Sequence, residues 1–341
     1  MPRARALALL LLALGLLLPA PAAVTAQATA QEGEWGQRAP LPEANSEIAV
    51  AAMEGKIYVI GGYPSSRVVT NAVQVYDSES DSWSMGPPLP VPLHHTVAAA
   101  VDGVLYVIGG EFEPSGVARQ GVYQDTVWAY DPRRASATTS EAWTPRAAMP
   151  TARSGMAGGV VEGKIYVAGG RPPRGHDFAV YDPAADAWTA LPDLPTQRNH
   201  LAVEAIAGRV YVAGGRFGGS VGSEMTAAFE VYDPATNAWT ALPPLPAPRA
   251  GLNGAVAGGC LYVFGGEGND ADPQGVFGDV DVYDPLAGAW RSLAPLPVKV
   301  HGVTGAPVLG DWIHLAGGGT SRGGSSGSTI HQVFRPGGAC A

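Results

Sequence analysis

Charge is scarce in this sequence, and lysine is almost absent. Only 15% of the 341 residues are charged, and the 21 basic residues include just three lysines, Lys56, Lys164 and Lys299. The formal net charge of −9 excludes the basic excess that nucleic-acid-binding proteins normally carry. Coiled coils and long helical arrays are rich in Glu, Lys and Arg, so the low charge excludes them too. We therefore expect no nucleic-acid partner and no extended helical fold.

Long apolar runs are missing everywhere except at the N-terminus. There, Arg3 and Arg5 precede an apolar run at residues 6–18 and a stretch of small residues. This run is shorter than the about 20 residues of a transmembrane helix, and its flanks are typical of a secretory signal peptide. We expect a signal peptide at residues 1–26, cleaved after Ala26, and a short linker at 27–34. The protein should be secreted or periplasmic, without a membrane span and, as no cysteine lies near the cleavage position, without a lipid anchor.

Recognisable catalytic and cofactor motifs are missing as well. The sequence contains no Gly-x-Ser-x-Gly, Walker A, Rossmann or His-Glu-x-x-His pattern. It has only two cysteines, Cys260 and Cys340. We expect no cofactor from these absences. An exported chain with two cysteines can form a disulfide, because oxidising compartments preserve one.

Glycine is abundant, and together with the aromatic residues it recurs in a fixed order. A Gly-Gly pair closes a short apolar run six times, beginning at Gly61, Gly109, Gly169, Gly214, Gly265 and Gly317. A Tyr-Asp pair follows in five units, at Tyr76, Tyr130, Tyr181, Tyr232 and Tyr283, with Phe334 in the sixth. A Trp comes next, at Trp83, Trp143, Trp188, Trp239 and Trp290, and Trp35 precedes the first Gly pair. A period near 50 residues indicates a repeat architecture.

This order of residues resembles the kelch repeat, over residues 35 to about 335. WD40 repeats are shorter and carry a Gly-His and Trp-Asp signature that is missing here. The resemblance implies an all-β, six-bladed β-propeller of the galactose oxidase-like central domain superfamily. It would span residues 35–338, with 339–341 as a C-terminal tail. Four-stranded antiparallel blades are the unit of such a fold.

The pattern within one unit agrees with such a blade. In the second unit, residues 95–101 and Val104–Ile108 predict two strands joined by a tight turn at Asp102-Gly103. Residues 125–130 predict a third strand, and the segment around Trp143 a fourth. The sixth unit ends without a Trp, so we expect the segment around Trp35 to supply its outer strand. That pairing would close the ring and hide its edges.

Two positions of each repeat should face the mouth of the central channel: the residue after the Gly pair and the start of the first strand. They provide our candidate ligand-binding residues: Glu111, Arg153, Arg171, Arg198, His200, Arg216, Arg249 and Glu267. So many arginines predict an electropositive sector that holds a carboxylate, sulfate or acidic peptide. Kelch domains similar to this one bind acidic peptides, and the resemblance assigns that role to Arg153, Arg171 and Arg216. The alternative role for Arg153, Arg198 and Arg249 is to tie neighbouring blades together.

Metal binding and a disulfide are the remaining possibilities. His94, His95, His200 and His301 could bind a metal if they converged, but no paired ligand spacing supports this, and we expect none. Cys260 opens the second strand of the fifth unit, and Cys340 follows the third strand of the sixth on the same face. This placement predicts a disulfide.

We therefore predict a monomeric, non-enzymatic, exported kelch protein. It would recognise a protein, peptide or anionic carbohydrate through the loop face at the channel mouth. The alternative is an exported kelch enzyme acting on an acidic sugar, similar to the sialic-acid mutarotase family. Copper chemistry like that of galactose oxidase is a remoter alternative, because it needs a Cys–Tyr crosslink and Cys260 should lie on the far face.

Overall fold

Six antiparallel sheets follow one another along the chain as the blades of a β-propeller. The computed structural model describes Met1 and residues 33–64, 68–114, 121–134 and 138–338. The predicted signal peptide and C-terminal tail therefore lie outside the described residues. Each blade has four strands, and the first strands of successive blades contact one another around the axis. The predicted all-β, six-bladed fold is confirmed.

The first three blades are each formed by one continuous stretch of chain. Blade one contains Ile48–Met53, Lys56–Ile60, Val73–Asp77 and Ser82–Met85. Blade two contains Val97–Val101, Val104–Ile108, Val127–Tyr130 and Trp143–Arg146. Blade three contains Ala157–Val161, Lys164–Ala168, Phe178–Asp182 and Ala187–Ala190.

The last three blades repeat this pattern, except that the sixth takes its outer strand from the N-terminal segment. Blade four contains Ala202–Ile206, Arg209–Ala213, Phe229–Asp233 and Ala238–Ala241. Blade five contains Asn253–Ala257, Cys260–Phe264, Val280–Asp284 and Ala289–Ser292. Blade six contains Val308–Leu309, Trp312–Ala316, His331–Arg335 and, outermost, Glu34–Gln37.

The ring closes as the sequence predicts. Glu34–Gln37 pairs antiparallel with His331–Arg335, and Trp35 lies opposite Phe334 with ring centroids 4.8 Å apart. A short strand, Val303–Thr304, also pairs in parallel with Ile48–Met53 of blade one. Two separate strand pairings therefore join the ends of the ring.

The recurring glycines and aromatic residues are structural. Gly61 has φ 62°, and a Cβ atom there would lie 2.1 Å from the Leu93 carbonyl oxygen, so only glycine fits. The Tyr181 hydroxyl donates to Asp186 over 2.6 Å, which ties the end of a strand to the next turn. The Trp188 indole donates to the Ala147 carbonyl over 2.9 Å and so links blade three to the preceding segment.

The strand limits of blade two differ slightly from the prediction. Asp102 and Gly103 have φ of 51° and 74°, as a tight hairpin turn requires. The first strand begins at Val97 instead of residue 95, because His95 has φ 52° and this left-handed conformation interrupts the strand. Among the described residues, no helix has the length and apolarity to cross a bilayer.

Candidate functional site

A cavity of about 710 Å³ opens at the mouth of the central channel, where the Gly pairs end and the innermost strands begin. All six blades contribute to its wall. The ionisable residues from the first two blades are Glu47, Tyr63, His94, His95, Glu111 and Glu113. Blades three, four and five add Arg171, Arg216 and Glu267. Such a concentration of ionisable groups in one concavity is typical of a functional site.

A ring of backbone hydrogen bonds surrounds the axis at the floor of this cavity. One residue per blade takes part: Glu47, His95, Gly155, His200, Gly251 and Gly302. Each amide donates to the carbonyl of the preceding blade over 2.8 to 3.1 Å, and Ile48 completes the ring by donating to Gly302. All six ring residues have positive φ, between 52° and 71°. Blades three, five and six use glycine there, whereas Glu47, His95 and His200 adopt a conformation that strains a side-chain-bearing residue.

Four of the eight predicted residues line the cavity: Glu111, Arg171, Arg216 and Glu267. His200 lies just below it, in a smaller space that it shares with Glu47 and His95. Arg153, Arg198 and Arg249 do not line either space. These three arginine side chains are fully buried in the propeller wall.

The side chains of the three buried arginines tie together strands of the blade that follows them, while their backbones bond to the preceding blade: the carbonyls of Arg153, Arg198 and Arg249 accept from the amides of Gly110, Gly170 and Gly215. Arg198 donates to the Gly214 carbonyl over 2.8 Å and to Glu230 over 2.6 Å, both in blade four. Arg153 likewise donates to carbonyls of blade three, and Arg249 pairs with Asp281 of blade five at 2.7 Å. The left-handed turn at a Gly pair leaves carbonyls without sheet partners, and in blades three and four a guanidinium satisfies them.

The expected electropositive sector does not form, because carboxylates accompany the arginines. Arg216 forms a buried ion pair with Glu267. Arg171 lies 3.5 Å from Glu111, measured from Nε to Oε2, and its side chain is 17% exposed. Four glutamates and two arginines line the cavity, which leaves an excess of two negative charges when the histidines are neutral. Arg171 is the cavity arginine that a ligand can reach.

A chain of hydrogen bonds runs from the cavity wall to the axis. The Tyr63 hydroxyl donates to Glu113 over 2.5 Å and lies 3.0 Å from His94 Nε2. The Nδ1 atoms of His94 and His95 are in contact, and His95 Nε2 lies 2.9 Å from Glu47 Oε2. The chain therefore connects four groups to the buried Glu47: the Glu113 carboxyl, the Tyr63 phenol and the imidazoles of His94 and His95.

Burial and neighbouring charge shift the pKa values of these groups. Burial lowers the pKa of His94 and of His200 well below the ordinary value, and Arg216 lowers that of His200 further. Burial also raises the pKa of Tyr63, as does its hydrogen bond to Glu113. Burial alone would raise the pKa of Glu47, but the combined attraction of His95, His301 and Arg216 and the hydrogen bond to His95 outweigh it and hold this pKa below the ordinary value. At neutral pH, Glu47 is a carboxylate and both His94 and His200 are neutral.

The candidate residues selected from the sequence do not include all of these groups. Glu113 lies in a variable loop, two positions beyond the repeat position of Glu111, so no repeat marks it. Glu47, His95 and His200 offer one ligand atom each within 4.8 Å of one another, which is a possible metal-binding group. Paired ligand spacing cannot reveal this group, because each residue comes from a different blade. A comparison of this ring position across the six repeats would have indicated the group, because three repeats have glycine there and three have a glutamate or a histidine.

The predicted disulfide stays a prediction. Cys260 is fully buried in the second strand of blade five. Cys340 lies outside the described residues.

The family model and the relatives that match this chain are described as kelch proteins. The model of the KLHDC2/KLHL20/DRC7 Kelch-repeats domain matches residues 24–215 and 150–318. Kelch-like protein terF of Aspergillus terreus is 28% identical over 308 residues, which cover 89% of this chain and 56% of the relative. Kelch-like ECH-associated protein 1B of Danio rerio is 33% identical over 103 residues, 30% of this chain and 16% of the relative. The chain thus spans little more than half the length of the first of these relatives and a smaller part of the second.

A solved structure supports the same fold. The protein in "Structure of YjhT" superimposes with a TM-score of 0.68, covers 86% of this chain and 95% of its own, and shares 18% sequence identity. At this identity the likeness concerns the fold alone. The family-model match, the six repeats and the closed ring of blades together show that this chain belongs to the kelch-repeat family.

Proposed function

We propose that this is an exported, monomeric kelch propeller whose mouth cavity binds a ligand with an anionic group flanked by hydroxyl or amine donors. Kelch domains commonly bind proteins, and the ligand can be the acidic end of a peptide or an acidic sugar. The observation that carries the proposal is Arg171, an accessible guanidinium beside Glu111 and Glu113 on the cavity wall.

The contacts of Arg171 leave room for a ligand. Its Nη1 donates to the Gly219 carbonyl over 3.0 Å and its Nη2 donates to His95 Nε2 over 3.1 Å. Its nearest Glu111 oxygen is 3.5 Å away, longer than a good charge-assisted hydrogen bond. A ligand carboxylate can therefore bind the guanidinium without first breaking a tight ion pair. Glu111 and Glu113 can accept hydrogen bonds from the donors on either side of that carboxylate.

The size of the cavity favours a small ligand or a peptide end. Its volume of about 710 Å³ falls within the range of small-molecule sites. Loop residues of blades four and six close its rim, where Arg322 donates to the Val221 carbonyl over 2.8 Å. A concavity of this kind suits one sugar or a few residues of chain.

Catalysis on an acidic sugar is the second candidate. The hydrogen-bonded chain from Tyr63 through His94 and His95 to Glu47 joins groups that can donate and accept protons. General acid–base catalysis needs such groups within hydrogen-bond reach of the substrate. Anomer interconversion breaks the bond between the anomeric carbon and the ring oxygen and re-forms it on the other face of the carbonyl group. Its proton moves from the anomeric hydroxyl to the ring oxygen and back, so acid–base groups suffice and no cofactor is needed.

The test is a thermal-shift and calorimetric screen of the mature protein against sialic acid, glucuronate, glucose and short acidic peptides. We expect an acidic compound to bind and Arg171→Ala to weaken its binding about tenfold or more, because a hydrogen bond to a charged group contributes about 1.5–3 kcal/mol. Arg133→Ala is the matched control, since Arg133 pairs with Asp131 on the opposite face. Equal binding by both variants would refute the ligand assignment. An NMR anomerisation assay on any sugar that binds tests the second candidate.

Export rests on the N-terminal sequence. Residues 1–26 combine a basic head, an apolar segment and small residues before the cleavage position. We propose that the mature chain acts outside the cytoplasm, in an extracellular or periplasmic compartment.

A further inference from the structure

We propose that Glu47, His95, His200 and His301 form a binding site for a divalent transition-metal ion, with zinc or copper as the favoured class, on the axis of the propeller. The site lies at the floor of the mouth cavity. It does not depend on the organic ligand proposed above. Its four side chains come from blades one, two, four and six, and all are at least nine-tenths buried.

The backbone ring leaves space for these side chains. A Cβ atom on Gly155 would lie 3.1 Å from His200 Nδ1, and one on Gly302 would lie 3.0 Å from the Glu47 carboxyl. Glycine in blades three and six thus makes room for Glu47 and His200. These two residues and His95 keep side chains at a left-handed position, and each of them therefore imposes a cost in backbone strain. Glycine would avoid that cost, so the side chains at this position are expected to serve a function.

The hydrogen bonds of His200 determine which ring nitrogen is free of a proton. Arg216 has only donors, and its Nη2 lies 2.8 Å from His200 Nε2, so Nε2 accepts. Nδ1 then carries the proton and donates to Asn199 Oδ1 over 2.6 Å. Metal-binding histidines commonly have their second nitrogen fixed by such a hydrogen bond. Nε2 is therefore the ring nitrogen of His200 without a proton, and in the metal-free chain its lone pair accepts from Arg216.

The same reasoning applies to His95 through its neighbours. Tyr63 donates its proton to Glu113, so its oxygen accepts from His94 Nε2. The Nδ1 of His94 is in contact with His95 Nδ1. The other ring nitrogen, His95 Nε2, lies 3.1 Å from Arg171 Nη2, which can only donate, so Nε2 accepts, and it also lies 2.9 Å from Glu47 Oε2. Two acceptors at that distance repel each other unless a proton or a metal ion lies between them.

His301 supplies a third lone pair. Its Nε2 lies 2.7 Å from the Ser321 carbonyl oxygen, which can only accept, so Nε2 carries the proton. Its Nδ1 is buried without a hydrogen-bond partner. This atom lies 3.9 Å from Glu47 Oε1 and 3.8 Å from Glu267 Oε2. A buried acceptor without a donor, facing two carboxylates, is expected to bind a cation.

Glu47 provides the negative charge. Among the described residues, its ion pairs within 4.0 Å involve only His95 and His301, and no lysine or arginine. A buried carboxylate is costly without a compensating charge. A single proton on His95 could compensate Glu47 but would leave the lone pair of His301 unsatisfied. A divalent ion satisfies the carboxylate and the histidine lone pairs together.

Metal binding must displace two arginines from the histidine nitrogens that they now contact. In the metal-free chain, Arg171 Nη2 lies 3.1 Å from His95 Nε2, and Arg216 Nη2 donates to His200. Each guanidinium has a second, negatively charged neighbour, Glu111 for Arg171 and Glu267 for Arg216. Metal binding therefore replaces one hydrogen bond per arginine and leaves both arginine charges compensated.

The donor set selects the metal. Imidazole nitrogens with one carboxylate favour zinc, copper, iron or nickel over calcium and magnesium, which prefer oxygen ligands. Zinc ligands lie about 2.0–2.2 Å from the ion, so the donor atoms must come within about 4 Å of one another. The three nearest donors already lie within 4.8 Å. Small side-chain rotations can provide the remaining contraction.

The experiment is metal titration of the mature protein after chelation, with Zn²⁺, Cu²⁺, Ca²⁺ and Mg²⁺ added singly and no organic ligand present. Calorimetry and elemental analysis give affinity and stoichiometry. The test variant is His95→Gly/His200→Gly, which places at these positions the residue that blades three, five and six already have. Glu162→Gly is the matched control, because Glu162 also has a left-handed backbone (φ 49°) but lies in a hairpin turn away from the site.

We expect the parent and the Glu162→Gly control to bind one Zn²⁺ or Cu²⁺ per chain. The double glycine variant should bind at least about 100-fold more weakly, since it loses two ligands, and cooperative thermal unfolding of the metal-free variant will show that it is folded. No stoichiometric binding by the parent would overturn the proposal. So would unchanged affinity in the double variant, or a preference for Ca²⁺ over Zn²⁺. Because no organic ligand is present, these outcomes are independent of the Arg171 experiment.

Discussion

Glu204 makes the stability of the propeller depend on pH. It projects from the innermost strand Ala202–Ile206 of blade four into a narrow part of the channel lined by Ala98, Gly158 and Gly254, among others. A Cβ atom on Gly254 would lie 2.9 Å from Glu204 Oε1, so the carboxyl group packs tightly against this backbone. Burial raises the pKa of the Glu204 carboxyl from 4.5 to about 8.

The direction of the effect follows from the raised pKa. Below pH 4.5 the carboxyl is protonated in both the folded and the unfolded chain, and it imposes no penalty. Between pH 4.5 and about 8 the unfolded chain releases the proton and the folded chain keeps it, so stability falls as the pH rises. Above about pH 8 both states are ionised, and the full penalty of the buried charge remains.

The magnitude is large enough to measure. Each pKa unit corresponds to about 1.4 kcal/mol, so the shift sets a ceiling of about 5 kcal/mol. The side chain keeps partial contact with the channel, which reduces this to about 2–3 kcal/mol. For a domain of this size, that difference corresponds to a melting-temperature change of about 4–8 °C.

Glu204→Gln removes the charge and keeps the shape of the side chain. We expect the variant and the parent to melt at similar temperatures at pH 5, and the variant to melt about 4–8 °C higher at pH 9. Differential scanning calorimetry across this range provides the measurement. Glu162→Gln is the control, because Glu162 is exposed in a hairpin turn. Parallel melting curves for the parent and Glu204→Gln from pH 5 to 9 would refute the assignment of a buried, protonated carboxyl.

Two further predictions concern the chain ends. Trp35→Ala should lower the free energy of unfolding by about 2–3 kcal/mol, because the indole is partly buried against Phe334 and Phe264; unchanged denaturant unfolding would contradict its role in ring closure. The intact mass of the exported protein should correspond to cleavage after Ala26 and to a chain two hydrogen atoms lighter than the reduced form, as expected for the proposed Cys260–Cys340 disulfide. Two thiols titrating in the native protein would exclude that bond.

The fold could be predicted from the sequence because each blade is specified locally. Gly pairs, Tyr-Asp pairs and a Trp recur within about 50 residues, so a single unit already reveals its hairpins and strand order. The missing Trp after Phe334 also predicted that Trp35 completes the ring. The structure adds details that the sequence does not show. For example, the left-handed conformation of His95 makes the first strand of blade two begin at Val97.

The site was less predictable because its chemistry depends on contacts between blades. The repeat placed Glu111, Arg171, Arg216 and Glu267 at the cavity, but not the carboxylates that cancel the arginine charge. Arg198 belongs to the other candidate position, near the start of a first strand, and it turns into the wall because carbonyls released at the Gly pair attract its guanidinium. The spacing of residues in a single sequence does not show which carboxylate or carbonyl group an arginine will contact in the folded chain.

The pairing of Glu34–Gln37 with His331–Arg335 also has a kinetic consequence. Glu34 and Arg335 are separated by 301 positions. The outer strand of blade six, Glu34–Gln37, is therefore synthesised before the rest of the propeller, and its partner His331–Arg335 is synthesised after almost all of it. Contacts this distant in sequence slow folding. A chain translocated across a membrane with its N-terminus first would therefore expose an unpaired strand edge until its last residues emerge. Arrest of synthesis or export before that point would leave five blades formed and the ring open, a species prone to proteolysis and aggregation.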